Sequence, residues 1–342
     1  MSGPASAPAR SKLDAVRISL VTPAPTGTHT GNRVTALRWA RILRALGHRV
    51  RVEREYGEHE CDVLIALHAR RSRPSIERFR NRHPEGALII ALTGTDLYGD
   101  LVTDPGIRRT LERASRLVLL QPLGLDALPR AVRGRARVIY QSVRTPAAAP
   151  PSRGTFDVCV LAHLRDVKDP LRAAFAARDL PPSSRIRILH AGAALTDDMG
   201  RTARAEMRAN PRYRWLGELP RWKALRLLAR SRLMVLSSRM EGGANALSEA
   251  LAASVPVLVS RIPGSLGILG PDYPGTYPVG DTRALADLLS KAETNAEFYR
   301  SLQARCAALR PLTEPARERA AWAALLADLG AARPDRAGVR AS

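Results

Sequence analysis

Leu233-Met-Val-Leu-Ser-Ser238, Arg239-Met-Glu-Gly-Gly-Ala-Asn-Ala-Leu-Ser-Glu249 and Val255-Pro-Val-Leu-Val-Ser260 read in turn as a strand, a glycine-rich turn opening a helix, and a second strand. Short apolar runs bounded by glycine and polar residues suit strands buried on both faces of a parallel sheet. Gly242 and Gly243 are expected to open the helix. Glycine there lets the backbone approach a ligand closely and leaves helix N–H groups free for an anion. Glu241 and Glu249 are separated by seven residues. A helix running through both would carry the two carboxylates near one face, a little over two turns apart. Such a pair beside an anion-binding helix start suits a phosphorylated sugar, one carboxylate for sugar hydroxyls and the other for a ribose diol. The same two residues also suit an exposed helical glutamate and an acidic partner of the helix dipole. Spacing alone leaves both readings open.

Working outward, the strand–helix alternation covers most of the chain. Val16 to Pro23 is an apolar strand, and a Gly/Thr/Pro loop leads to a helix from Asn32 with Val34, Leu37, Trp39, Ala40 and Leu43 on one stripe. Gly47 ends it and Val50 opens the next strand, a βαβ start that implies a parallel sheet. The loop is not a dinucleotide fingerprint, because Gly27 and Gly31 are wrongly spaced. Strands follow at 61–68, 87–92, 117–120 and 137–140. After the Pro/Ala-rich linker Thr145–Arg153, a second series runs through strands at 156–162, 186–190 and 213–216 and helices at 171–177, 202–208 and 221–229. The reading is α/β with two Rossmann-like domains, 13–145 and 154–312, and a C-terminal amphipathic helix over 313–330. Residues 1–12 and 331–342 are expected to be a disordered leader and tail.

Polar residues gather just past strand ends: Thr22, His68, Thr93, Asp96, Gln121, Gln141 and Ser142. One such residue is usually a turn or cap; several on one edge indicate a lined cleft, where open α/β sheets bind ligands. Arg165 and Lys168, three apart after the strand at 156–162, can clamp a diphosphate and stabilise its charge as it leaves. Two solvated surface charges are the plainer reading.

Bulk properties narrow the classes. No apolar run reaches the length of a membrane span, and the first residues lack the apolar core of a secretory signal. Three scattered cysteines, Cys61, Cys159 and Cys306, form neither a zinc motif nor a disulfide framework and fit a reducing cytoplasm. The net charge of +22 admits nucleic acid or acidic small molecules as ligands. Yet arginine is spread over nearly every segment and aromatics are only 4%, too few for an evident base-stacking platform. Small-molecule substrates, with neither nucleic acid nor membrane as partner, are therefore expected.

The segment Ser237–Ser260 resembles the Glu-x7-Glu signature of retaining nucleotide-sugar glycosyltransferases with the GT-B fold. The resemblance implies two facing Rossmann-like domains with a C-terminal helix crossing back to the first. It implies that Glu241 and the turn Gly242, Gly243, Ala244 and Asn245 meet the donor sugar and diphosphate, and that Glu249 holds the ribose. Ala162-His163-Leu164…Lys168 resembles the family's Gly-Arg-Leu-x-x-x-Lys element. Lys168 carries over, His163 stands where the family has Arg, and Arg165 is assigned the guanidinium role. Thr93-Gly94-Thr95-Asp96 resembles the His-Gly-x-Asp element, with Thr93 in the His position. Threonine does not titrate near neutral pH, and a hydroxyl acceptor normally needs a general base, so an already anionic nucleophile is expected.

Thr22-Pro-Ala-Pro25, Gly31 to Ala40, Ala66 to Ser72, Leu92 to Tyr98 and Val138 to Ser142 together resemble the selenosugar synthase family of selenoneine biosynthesis. That resemblance implies UDP-N-acetylglucosamine as donor, selenophosphate as acceptor, no cofactor, no metal, and a functional link to the enzyme consuming the selenosugar. Asn32, Arg33, His68, Arg70, Arg71, Thr93, Thr95 and Asp96 are then the acceptor-side residues. A thiol or hydroxyl acceptor, or nucleotide-sugar binding without turnover, are the alternatives.

Overall fold

In the computed structural model, residues 15–27, 30–144, 149–152 and 154–331 are described. The expected leader at 1–12, the tail from 332 and part of the 145–153 linker lie outside the described residues. The first sheet comprises β1 (Arg17–Val21), β2 (Arg49–Glu53), β3 (Val63–Leu67), β4 (Ala87–Ala91), β5 (Arg116–Leu119) and β6 (Ala136–Val138), in the order β2-β1-β3-β4-β5-β6. A second sheet contains β7 (Phe156–Leu161), β8 (Ile186–Ala191), β9 (Tyr213–Trp215), β10 (Leu233–Leu236), β11 (Val257–Ser260) and β12 (Thr276–Tyr277), ordered β12-β11-β10-β7-β8-β9. Every strand pairing among the described residues is parallel, as with Val63 opposite Ala87 and Val158 opposite Ile188.

Period-two side-chain alternation explains why the central strands are apolar throughout. Leu64, Ala66, Leu88 and Ile90 enter one core cluster, and Val63, Ile65, Ala87 and Ile89 enter the cluster on the other face. Helix α1 (Gly31–Ala45) covers that second face with Ala36, Trp39, Ala40 and Leu43. The C-terminal helix Pro315–Ala331 completes the cover with Trp322, Leu325, Leu326 and Leu329. Trp39 and Trp322 meet edge to face at 4.8 Å between ring centroids. The last helix of the chain therefore packs on the first domain. Asp328 fastens it by accepting from Arg116 and Arg137, both at 2.9 Å.

Strand order reverses between β1 and β3 in the first sheet and between β7 and β10 in the second. Loops after adjacent strands diverge at such switch points and leave a crevice at their C-terminal ends. The two chain crossings between domains run side by side, with Val143 N–H donating to Thr313 O at 2.9 Å.

Local boundaries differ from expectation in two places. The helix expected at 202–208 spans Asp197–Ala209, because Thr196 Oγ1 caps it by accepting from Met199 N–H at 3.3 Å. The helix expected to open at Gly242 begins at Asn245 and ends at Ala252. Ala244 is still extended, at φ −70° and ψ 126°, so Glu241 lies in the preceding loop. The two glutamates do not share a helix face.

Candidate active site

Both switch points open onto one cleft. From the second sheet come the loop after β7, carrying His163, Arg165 and Lys168, and the loop after β10, carrying Glu241, Gly243, Ala244 and Asn245. The loops are tied together: Arg239 N–H donates to Val167 O at 2.9 Å, and Ser237 Oγ donates to Asp169 O at 2.7 Å. Lys168 Nζ donates to Glu241 Oε1, which also accepts from Ser238 Oγ at 2.6 Å. His163 Nδ1 accepts from Ala193 N–H at 3.1 Å, which leaves Nε2 as the ring nitrogen able to donate. The N–H groups of Gly242, Gly243 and Ala244 meet no protein acceptor among the described residues. Consecutive unpartnered amides ahead of a helix form an anion-binding concavity.

Glu249 is buried, and its Oε1 accepts from Arg221 Nη1 at 2.6 Å. Burial raises its pKa, opposed by the Arg221 and Arg38 guanidiniums. Arg221, at the start of the helix Arg221–Arg230, lines the cleft and was missed in the sequence. Its position straight after Pro220 was the available signal, since proline commonly stands at a helix entry.

From the first sheet the cleft takes Asn32 at the start of α1, His68 and Arg71 after β3, and Thr93 and Thr95 after β4. His68 has φ 70°, a left-handed conformation uncommon outside glycine. Its Nδ1 accepts from Arg71 N–H at 3.4 Å, and its Nε2 lies 3.0 Å from Thr95 Oγ1. Burial and nearby Arg71 depress its pKa against the pull of Asp96 and Asp100, so the neutral ring donates from Nε2 to Thr95. Asp96 does not reach the cleft wall. Its Oδ1 accepts from Thr93 N–H at 2.8 Å and Gly94 N–H at 2.9 Å, and its Oδ2 from Ala69 N–H at 3.0 Å. It shapes the two strand-end loops from beneath. Arg33 and Arg70 also lie off the wall; Arg70 is exposed and pairs with Asp100 at 2.9 Å.

Gly94 and Gly242 bring the backbones of the two domains into direct contact. A Cβ on Gly94, whose φ is 132°, would stand 2.6 Å from Gly242 N, and one on Gly242 would stand 2.6 Å from Thr93 C. Gly242 is thus a packing contact of the loop rather than a wall residue. Among the described residues neither Arg71 nor Arg165 has an ion-pair partner. Burial lowers the Arg165 pKa, Glu241 opposes this, and Arg71 across the cleft adds to it. The cleft thus holds cationic groups with spare charge on both walls. Among the described residues no group of three His, Cys, Asp or Glu is placed to hold a metal ion, and no helix is long and apolar enough to cross a membrane.

Residues 147–307 match the family model Glycosyl transferases group 1. The whole fold is similar to Anabaena HepE in complex with UDP and glucose, at 15% identity and TM-score 0.74, over 92% of this chain and 100% of that one. It is similar to sucrose-phosphate synthase from Thermosynechococcus elongatus at 14% identity and TM-score 0.75, over 93% and 100%. An α,α-trehalose-phosphate synthase (UDP-forming) from Burkholderia xenovorans, in complex with glucose-6-phosphate, aligns at 14% identity and TM-score 0.64, over 78% and 74%. Likeness at such low identity concerns the fold, which is GT-B: two parallel six-stranded sheets facing one cleft.

Proposed function

From the premise of a GT-B chain whose second domain matches the Glycosyl transferases group 1 model, we propose that the protein is a nucleotide-sugar glycosyltransferase that moves N-acetylglucosamine from UDP-N-acetylglucosamine to selenophosphate. The observation that carries the transferase reading is the cluster of Arg165, Lys168 and Glu241 beside the unpartnered amides of 242–244. A diphosphate there would meet two cations and N–H donors placed to stabilise a leaving charge. Glu249 and Arg221 border the same wall, in reach of the ribose and base side of a nucleotide.

Two features support an anionic selenium acceptor over a hydroxyl. Thr93 lines the cleft at a strand end, and it cannot act as a general base near neutral pH. Arg71 adds an unpaired cation to the same wall. The reaction forms a bond from selenium to the anomeric carbon as the bond from that carbon to the diphosphate oxygen breaks. The electron pair leaves on uridine diphosphate, whose charge Arg165 and Lys168 take up. Glu241 and the amides orient the sugar. The Gly94–Gly242 contact holds the two walls of the cleft against each other.

The test is mass spectrometry of products from the purified protein, UDP-N-acetylglucosamine and selenophosphate generated in place without oxygen. The expected result is a selenium isotope pattern on an N-acetylhexosamine mass with matching UDP release. UDP release with no selenium-bearing product would remove the selenophosphate assignment and keep the transferase. Neither product, from folded protein and a verified selenophosphate source, would remove both.

A further inference from the structure

Behind the cleft a buried chain of polar side chains joins the first domain to the donor loop of the second. Gln141, after β6, is buried; its Oε1 accepts from Thr35 Oγ1 at 2.9 Å and from Arg38 Nη2 at 2.7 Å, and its Nε2 donates to Gly243 O. A guanidinium only donates and a peptide carbonyl only accepts, so this amide has a single consistent orientation. Asn245 is fixed by the same logic. Its Oδ1 accepts from Arg38 Nη1 at 2.9 Å, and its Nδ2 faces Gly31 O and Thr35 Oγ1, both at 3.3 Å. The Asn245 side chain is thus occupied by the first domain. Arg38 is held in turn by Glu318 of the C-terminal helix, at 3.0 and 3.2 Å to the two carboxylate oxygens.

This arrangement acts on the backbone that faces the donor. A trans peptide is planar, with its N–H opposite its C=O. With the Gly243 carbonyl turned toward Gln141, the Ala244 N–H points the other way. Gly243 and Ala244 line the cleft, and that N–H has no acceptor among the described residues. Two consecutive glycines leave the loop free to rotate, so the orientation needs an external hold. We propose that Gln141 is a positioning residue for the donor: by holding the Gly243 carbonyl it aims the Ala244 N–H at the anionic part of a nucleoside diphosphate. Thr35 and Arg38 keep Gln141 in place. The first domain thereby sets the nucleotide affinity of the second, a claim that rests on the donor reading above.

The experiment is calorimetric titration of the full-length protein with uridine diphosphate, for wild type, Gln141→Glu and Gln141→Met, with thermal unfolding in parallel. Gln141→Glu keeps an acceptor for Thr35 and Arg38 but sets an oxygen against the Gly243 carbonyl. Gln141→Met keeps the length and loses the donor. Both folded variants are expected to bind about tenfold more weakly or worse, the scale of a lost positioning hydrogen bond. In turnover the donor KM should rise while the acceptor KM holds, a split that a merely structural glutamine would not produce. Affinity within about twofold of wild type in both folded variants overturns the proposal. Failure of the wild type itself to bind uridine diphosphate would remove the donor reading and this proposal together; normal wild-type binding with unchanged variants removes this proposal alone. If neither Gln141 variant folds, Thr35→Val, which removes the hydrogen bond onto Gln141 and the longer one from Asn245 Nδ2 at nearly constant volume, should weaken binding about threefold, and unchanged binding overturns the proposal.

Discussion

The wall built by the second domain draws Glu241, Gly243, Ala244, Asn245 and Glu249 from one nine-residue run, whereas the facing wall takes Asn32, His68, Arg71, Thr93 and Thr95 from the regions following three different strands. Their charges are handled differently too. On the first wall Lys168 meets Glu241 and Arg221 meets Glu249, and only Arg165 is left without an ion-pair partner among the described residues. On the second, Arg71 has no ion-pair partner among the described residues. Under the proposed function the first wall receives the nucleotide sugar and the second the small anionic acceptor. Different substitutions should therefore break the two walls in different kinetic terms.

The largest effect is expected at Lys168. Lys168→Ala removes a cation from beside the leaving diphosphate and should lower kcat by about 100-fold or more, the scale seen when one stabilising donor is lost. Glu241 keeps its Ser238 partner, so the fold should survive. Steady-state UDP release at saturating donor checks this, and a change confined to the acceptor KM would contradict the assignment of Lys168 to the donor wall.

Acid separates the domains on a stability scale. His190, at the end of β8 in the second domain, is fully buried: Nδ1 lies 2.9 Å from Tyr213 Oη and Nε2 lies 2.8 Å from Ala162 O. Burial pushes its pKa down from 6.5 to about 4, despite the hydrogen bond to Ala162. The folded value lies below the unfolded one, so the stability held by the neutral ring is complete above about pH 6.5 and is lost as pH falls toward 4. The loss approaches about 3 kcal/mol at the lower end. His68 in the first domain shifts in the same direction, mainly through burial. Urea unfolding near pH 7 and near pH 4.5, with hydrogen exchange resolved by strand, should show protection falling around β8. Equal stability at both values in the second domain would contradict a buried neutral His190.

Gly242→Ala tests the contact between the walls. The added methyl would stand 2.6 Å from Thr93 C and 2.7 Å from Gly94 N, both backbone atoms that cannot swing aside. The overpacking should cost about 1–3 kcal/mol of closed-state stability, widen the molecule in small-angle scattering and raise the KM of both substrates. An unchanged scattering profile would mean that the walls do not meet through these glycines.

Arg71→Ala is expected to raise the acceptor KM about tenfold while the donor KM stays near wild type, since one charge-assisted contact is removed from one wall only. Equal effects on both substrates would mean that Arg71 serves the donor as well.

These differences also explain what was legible in the sequence. The α/β architecture followed from strand-length apolar runs, and the βαβ opening gave the parallel sheet. Much of the second domain's cleft wall was legible because Glu241 to Glu249 form one run and Arg165 and Lys168 stand three apart after β7. Arg221 and Arg38 were not, because each acts through a residue distant in sequence: Arg221 on Glu249, Arg38 on Asn245 and Glu318. The helix start at Asn245 was misplaced because Gln141, about a hundred residues upstream, holds the Gly243 carbonyl outside the helix. On the other wall, periodicity could identify strand ends but not which polar side chain there turns inward. Asp96 has the same strand-end position as Thr93, yet its oxygens are spent on three backbone N–H groups.

The smallest predicted effect marks the boundary of the acceptor wall. Arg70 and Arg71 are neighbours in sequence, but the turn after β3 sends them apart: Arg71 lines the cleft, while Arg70 is exposed and bonds Asp100. An exposed pair is screened by water and contributes little. Asp100 also lies 3.9 Å from His68 Nε2, so losing Arg70 leaves it one weaker neighbour inside the site. Arg70→Ala should therefore change the acceptor KM by less than about twofold and leave kcat and the donor KM untouched. A loss as large as that of Arg71→Ala would extend the acceptor wall to the outer side of the turn, and the contrast between a contiguous donor wall and a sparse acceptor wall would have to be redrawn there.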